Sequence, residues 1–342
     1  MRKPDFNQLR KVLNREVPDR PVLFELFMDD EILEELTGES LCHDTPYLER
    51  TRIVVEAFRR CGYDYATVHG SRFDIMYHMI HSRTSETAES VSLNHGAHIF
   101  DDESFEQFPW PEPEDFDYSH LEECAAFLPE GMKLNVMSHC GVLEIAIQIF
   151  GYENLCFFLF KKPELVDRVF EAIGRRYVRY YQICASYETV GCLSANDDWG
   201  FNTQPMMSPD DLRRYLFPWH RKIVEAIHSA GKPAILHSCG NFSLIVEDLF
   251  DLGYDAKHSY QDVIFPVEDF YEAWGDRIAI LGGLDVDFMS RASVREVEER
   301  ALAMLERTRT RGGYALGTGN SLAKYINMDN VQTMLQVAHE FK

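Results

Sequence analysis

Apolar residues recur along this chain in two alternating rhythms. Short runs of strand type are followed by longer stretches with the three-and-four spacing of an amphipathic helix. The strand-type runs lie at 22–27, 63–68, 132–137, 190–196, 233–237, 254–258, 277–281 and 313–316. Helical patterns fill 47–61, 121–128, 142–149, 163–187, 208–230, 244–252, 267–274, 293–311 and 328–341, after an opening helix at 5–16 and a short one at 29–36. Several carry their own boundaries. Gly62 and Gly253 stand where a helix C-terminus needs a left-handed residue. Ser208-Pro209-Asp210-Asp211 is a helix start, and Ser293 with Glu296 makes a capping box. The prolines at 109, 111 and 113 make 106–113 irregular. Eight strand-then-helix units in 342 residues predict an α/β chain. The expected architecture is a (β/α)8 TIM barrel, a single domain over 1–342 with an N-terminal helical extension. A doubly wound open sheet is the alternative.

In a barrel of this type the C-terminal strand ends form the active face. Polar residues stand at nearly every proposed strand end: Glu25, His69, Ser138, Asp197, His237, Cys239, His258, Asp285 and Asn320. Loop-starting residues account for Asp and Asn, but poorly for three His and a Cys. The sharpest signal is His237-Ser238-Cys239-Gly240 after the fifth strand. Residues two apart in a strand face the same way, so an imidazole and a thiolate converge, a natural pair for zinc. Gly240 allows the sharp turn that follows. In His139-Cys140 the two residues are adjacent and face opposite ways, so that pair reads as structural.

Asp197 and Asp198 are also adjacent, so only one of them points inward. With His258 they are the candidates for moving a proton or holding polar substrate groups. Glu25 lies inside an apolar run, and either points into a polar site or pairs with a basic core residue. Glu25, His69, Asp285 and Asn320 are the substrate-binding candidates. Trp199, Phe201 and Tyr314 either line a pocket or belong to the core.

Composition narrows the classes. The chain is 45% apolar with 23 Phe, enough for a substantial core, and carries a net charge of −22. That charge argues against a nucleic-acid or anionic-membrane surface. Eight Cys without a CxxC pair predict reduced thiols and a cytoplasmic location. Met1-Arg2-Lys3-Pro4-Asp5 has no apolar stretch behind it, so no signal peptide is expected, and no apolar run approaches membrane-spanning length.

Four stretches carry a resemblance: 196–205 with Ser208-Pro209, Leu236-His237-Ser238-Cys239-Gly240-Asn241, Leu281-Gly282-Gly283-Leu284-Asp285, and Gly317-Thr318-Gly319-Asn320-Ser321. In this order they resemble the uroporphyrinogen decarboxylase superfamily. It holds haem-pathway decarboxylases and zinc-dependent methyltransferases that act on corrinoid proteins. The decarboxylases carry an Arg-rich stretch after the first strand and lack His-x-Cys. Here 25–31 has no Arg and four acids. The resemblance therefore implies the methyltransferase branch. Its expected features are zinc on His237 and Cys239, methylcobalamin supplied by a corrinoid protein, a small-molecule methyl donor or acceptor, and a homodimer. The thiol-methylating members also use a Cys after the eighth strand. Residues 316–321 hold none, so a third ligand must come from elsewhere, with Glu25, His69, Asp197 and His258 as candidates. The alternatives are a metal-free lyase acting on a carboxylated substrate and a non-catalytic partner-binding homologue. The chain has no Asp-x-His-x-x-Gly, the pattern of a corrinoid-binding module.

Overall fold

A computed structural model describes residues 2–42, 44–76 and 97–342. Seven parallel strands form one sheet in chain order: β1 (Tyr65–His69), β2 (Lys133–Met137), β3 (Val190–Asn196), β4 (Ala234–His237), β5 (Ala256–His258), β6 (Ala279–Leu281) and β7 (Tyr314–Ala315). Helices separate each strand from the next and cover the outside of the sheet. Strands buried on both faces need continuous apolar runs, as 234–236 and 278–281 supply.

The first predicted strand, 22–27, is not a regular strand. It meets the β7 region only through single parallel bridges at Leu23–Leu316 and Met28–Leu322. Phe24 N–H donates to Leu316 O and Leu316 N–H to Val22 O, both at 2.8 Å. On its other flank a side chain stands in for a backbone ladder. Glu25 N–H donates to Tyr65 Oη at 2.7 Å, and that hydroxyl donates to Glu25 O at 2.6 Å. The segment thus sits between β7 and β1 and closes the sheet into a TIM-barrel-like ring. Two local causes break its regularity. Pro21 brings no N–H to a ladder. The Glu25 carboxyl, fully buried, needs partners of its own and finds them in Thr318 N–H (2.8 Å) and Oγ1–H (2.6 Å).

This seam leaves no room beside Gly317. A Cβ there would lie 1.6 Å from Phe24 O and 3.2 Å from a Glu25 carboxyl oxygen.

The N-terminal helix Phe6–Leu13 is shorter than the predicted 5–16: Asp5 caps its start, accepting from Asn7 N–H, and beyond Leu13 the chain leaves the helix through Arg15 at φ +60°. It lies at the strands' N-terminal ends: Phe6 N–H reaches Gly131 O before β2, and Gly313 N–H before β7 reaches Glu16 O. Predicted helix 121–128 is a short helix, His120–Glu123, followed by a tight turn over Cys124–Ala126. Predicted helix 208–230 breaks into Pro209–Asp211, a wide π-type turn at Leu212–Leu216, and Phe217–Ser229. Pro218 has no N–H to donate, which loosens the turn before it. Three helices are unanticipated in the sequence, one of them Asp102–Gln107, capped by Asp101. Val286–Arg291 follows β6, and Tyr152–Lys161 bends 91° away from Val142–Phe150 at Gly151. Tyr152 anchors the second to the loop after β3, its hydroxyl donating to Met206 O at 2.7 Å. Among the described residues no single helix is long and apolar enough to cross a membrane.

The seam gives a test. Gly317→Ala is expected to cost at least about 2 kcal/mol in urea unfolding at unchanged m, because backbone rather than a flexible side chain must move. Gly38→Ala, with a positive φ but nothing within 4 Å of the added carbon, should cost only the roughly 1–2 kcal/mol of a left-handed alanine.

Candidate metal centre

Strand register assembles the site. Asn196 of β3, His237 of β4 and His258 of β5 are successive register partners, so their side chains share the barrel's inner face. Cys239 lies two residues past His237, just beyond the strand end. Gly240 follows at φ +99°, and a Cβ on it would meet Gly200 O at 2.2 Å. Only glycine lets the 240 turn pass this close to the loop after β3, and that closeness delivers Asp198.

His237, Cys239 and Asp198 are the group that converges. One ligand atom from each lies within 4.8 Å of the others, and among the described residues no other group of three or more His, Cys, Asp or Glu does so. Cys239 Sγ is 3.9 Å from His237 Nε2. Asp198 Oδ1 accepts the Cys239 N–H at 2.7 Å, which orients the carboxyl toward the thiol. Asn320 Nδ2 donates to Cys239 Sγ at 3.5 Å, and Ser259 Oγ lies 3.5 Å from the same sulfur. His237 Nδ1 is 2.8 Å from His258 Nδ1, and His258 Nε2 is 3.2 Å from Thr318 O.

The four residues named in the sequence as possible third ligands, Glu25, His69, Asp197 and His258, lie outside this cluster. Asp197 faces the opposite way from Asp198, into the helix layer. Its carboxylate accepts from Leu143 N–H and Glu144 N–H, each at 3.1 Å, at the start of helix Val142–Phe150. There it meets the helix dipole and receives His220 Nε2 at 2.8 Å. His220 Nδ1 is in turn 2.6 Å from Tyr254 Oη. His258 lies behind His237. The Glu25 carboxyl is taken up by Thr318. His69 stacks on His139 with ring centroids 3.8 Å apart and an angle of 17°, and its Nδ1 has no partner. Asp285 caps Val286–Arg291 through Phe288 N–H and also accepts from Asp262 N–H at 2.8 Å. Asn320 alone of the substrate-binding candidates touches the cluster. Trp199 is fully buried in the core beside His220 and Phe217. In the second His-Cys pair, Cys140 accepts from Gln148 Nε2 at 3.6 Å while His139 turns to His69.

Electrostatics in the cluster are lopsided. Burial pushes the Cys239 thiol up to about 12, with the Asp198 charge adding to the rise. Burial also raises the Asp198 carboxyl, and Asp197 adds repulsion. Burial, then the neighbouring His258, drives His237 well below its ordinary value. Burial holds His258 down at about 3. Each shift disfavours the charged form, as expected of buried ligands with no cation among them.

Three neighbours went unremarked in the sequence. Glu144 sits at the start of helix Val142–Phe150, where its carboxyl accepts from Gly141 N–H at 2.8 Å. Burial and then the Asp197 charge lift it to about 8. Its spacing from Gly141 was a usable signal, being that of a capping residue. Ser259 and Lys257 flank His258. Lys257 is buried between the Phe242 and Tyr260 rings, 4.5 Å from each centroid, and donates to Ser259 O at 2.5 Å. Burial lowers it to about 7. No local pattern distinguishes such a lysine from one at a strand edge.

The uroporphyrinogen decarboxylase (URO-D) family model matches residues 97–341. A uroporphyrinogen decarboxylase of Solibacter usitatus is 27% identical over 139 residues, 40% of this chain and 38% of that protein. The methylcobamide:CoM methyltransferase MtaA of Methanosarcina barkeri is 24% identical over 138 residues, again 40% and 38%. The chain thus spans well under half the length of these relatives. A solved methyltransferase from Methanosarcina mazei superposes with a TM-score of 0.71 over 98% of both chains at 16% identity, a likeness of fold.

Two stability measurements follow. Asp197→Ala strips a buried imidazole and a helix start of their partner and should cost about 3–5 kcal/mol in urea unfolding. Asp198→Ala should cost far less, because it also removes a disfavoured buried charge. Glu25 gives a pH signature, since burial raises its carboxyl from 4.5 to about 8. Between those values the unfolded chain ionises there and the folded chain does not, so stability falls as pH rises. Unfolding free energies from pH 5 to 8 should therefore fall more steeply in wild type than in Glu25→Gln.

Proposed function

The chain belongs to the uroporphyrinogen decarboxylase family, and from that premise we propose that it is a zinc-dependent methyltransferase working with a corrinoid protein. The observation that carries this reading is the convergence of His237, Cys239 and Asp198 at the C-terminal mouth of the barrel. The donor set fits zinc in kind: one imidazole, one sulfur and one carboxylate, with room left for an exogenous ligand. It fits in charge as well. A divalent cation would reverse the upward shifts that burial imposes on Cys239 and Asp198, while the lowered His237 is already the neutral imidazole a metal needs.

Zinc held there would supply Lewis acidity, keeping an incoming thiol as thiolate at neutral pH or polarising the oxygen of a methyl donor. The chain's own groups do the positioning. Asp198, tied to the Cys239 backbone, sets the carboxylate and sulfur at a fixed separation. Asn320 and Ser259 place N–H and O–H groups against Sγ, which favours its anionic form. Asn320 belongs to the loop where thiol-methylating relatives are expected to carry a cysteine. It therefore serves the sulfur already present instead of adding a second one. The name of the similar Methanosarcina barkeri enzyme, a methylcobamide:CoM methyltransferase, supports a corrinoid partner.

The lyase alternative has the Solibacter relative in its favour. Against it stands the cavity beside the first segment. Asp29, Asp30, Glu31 and Glu34 line it with Arg50, and both terminal guanidinium nitrogens of Arg50 are already held by Asp30 at 2.7 Å. A polycarboxylate would meet repulsion there.

Metal analysis of the purified chain tests the reading. About one zinc per chain is expected, lost in His237→Ala and Cys239→Ala and weakened in Asp198→Ala. Because the thiol must shed its proton, zinc affinity should rise with pH and binding should release acid to an unbuffered solution. Methyl transfer is then read from the visible spectrum of methylcobalamin on a corrinoid protein, with thiols as acceptors. A wild-type chain that carries no zinc and takes up none on titration overturns the proposal.

A further inference from the structure

Behind His237 runs a chain of hydrogen bonds that ends on the barrel seam. Its links are the Glu25 carboxyl to Thr318 N–H and Oγ1–H, Thr318 O to His258 Nε2, and His258 Nδ1 to His237 Nδ1. All four residues lie in the buried interior. The proton positions on its two imidazoles have one solution. A carbonyl oxygen only accepts, so His258 carries its proton on Nε2 and gives it to Thr318 O. A neutral imidazole has a single N–H, so His258 Nδ1 is a bare acceptor. The 2.8 Å contact between the two Nδ1 atoms then requires His237 to be the donor. That leaves His237 Nε2 bare, and Nε2 is the atom that faces Cys239 Sγ at 3.9 Å.

We infer that His258 is a positioning residue for the metal centre: it locks His237 in the tautomer whose free lone pair points at Cys239, and Thr318, braced by Glu25, locks His258 in turn. The tautomer follows from the protein's own contacts. Its consequence for zinc rests on the function proposed above. A ligand imidazole commonly donates its remote N–H to a carboxylate, a carbonyl or water. Here the acceptor is a second imidazole, which serves only while its own proton is kept on the far nitrogen. The Thr318 carbonyl does this, and the Glu25 carboxyl holds the Thr318 peptide at that point. The closure of the barrel and the aim of the ligand are therefore one construction. Without His258 the His237 ring would be free to carry its proton on Nε2, where it would block metal.

Histidine-labelled protein in its metal-free form tests this by two-bond proton–nitrogen NMR correlations, which report the protonated nitrogen of each ring. His237 is expected to be protonated on Nδ1 and bare on Nε2, with His258 protonated on Nε2. In His258→Leu that preference should be lost, and zinc affinity, measured by competition with a chromophoric chelator, should fall about 10- to 100-fold. His258→Asn presents Oδ1 near the place of Nδ1 and still accepts from His237. It should restore the tautomer and most of the affinity. A merely structural role for His258 predicts instead that affinity follows urea stability in both variants, with no change of tautomer, which overturns the inference. So does a wild-type His237 protonated on Nε2. A wild-type chain with the expected tautomers that binds no zinc removes the proposed function, and the metal role of His258 with it, and leaves the tautomer assignment of the two rings standing.

Discussion

Closing the ring without a regular eighth strand forces a carboxyl group into the core. The segment after Pro21 cannot offer β1 and β7 two full backbone ladders, so side chains complete the seam. Tyr65 serves both the backbone N–H and the backbone C=O of Glu25, and the Glu25 side chain crosses to Thr318. A buried carboxyl is costly unless its hydrogen bonds are met, and here both oxygens are used. Backbone contact at Gly317 is tight enough that the two sides cannot slide. The Thr318 peptide is fixed as a result, and with it the point from which the histidine pair behind the site is held.

Adjacent acids divide two tasks. Asp197 turns outward and supports the start of helix Val142–Phe150 together with His220 and Tyr254. Asp198 turns inward to the Cys239 backbone. The alternation of side chains along an extended chain makes this division automatic. One acid secures the start of the helix that carries Glu144, while its neighbour faces the sulfur. Three groups whose charged forms are all disfavoured by burial then lie within reach of one another. Such a cluster stores no stability by itself, and its arrangement makes physical sense around a cation.

Much of this was legible in the chain. The strand and helix rhythm gave the α/β alternation and the order of strands, because periodicity of burial is a local property. His237 and Cys239 were legible for the same reason: two positions apart in a strand is a statement about direction that needs no tertiary contact. The paired acids were visible as a pair, and the restriction that only one points inward was visible too. Which of them does so was not, since that depends on the phase at which β3 ends and on the turn that follows. The helix Tyr152–Lys161 escaped notice because the bend at Gly151 interrupts the apolar rhythm.

The sequence alone determined the direction of each side chain relative to its own element, and hence fold class, strand-end polarity and the His-x-Cys pair. Only tertiary structure decided what each side chain meets. Glu25 and Thr318 lie 293 positions apart, and His237 and His258 lie 21 apart, yet each pair is in direct hydrogen-bonding contact. The physical reason is that local sequence fixes φ, ψ and rotamer preference, whereas the separation between two elements is set by register and by what can be packed between them. The His-x-Cys pair belongs to the first kind of information. The convergence of Asp198 on that pair, the role of Asp197 at a helix start and the proton order of the two histidines belong to the second.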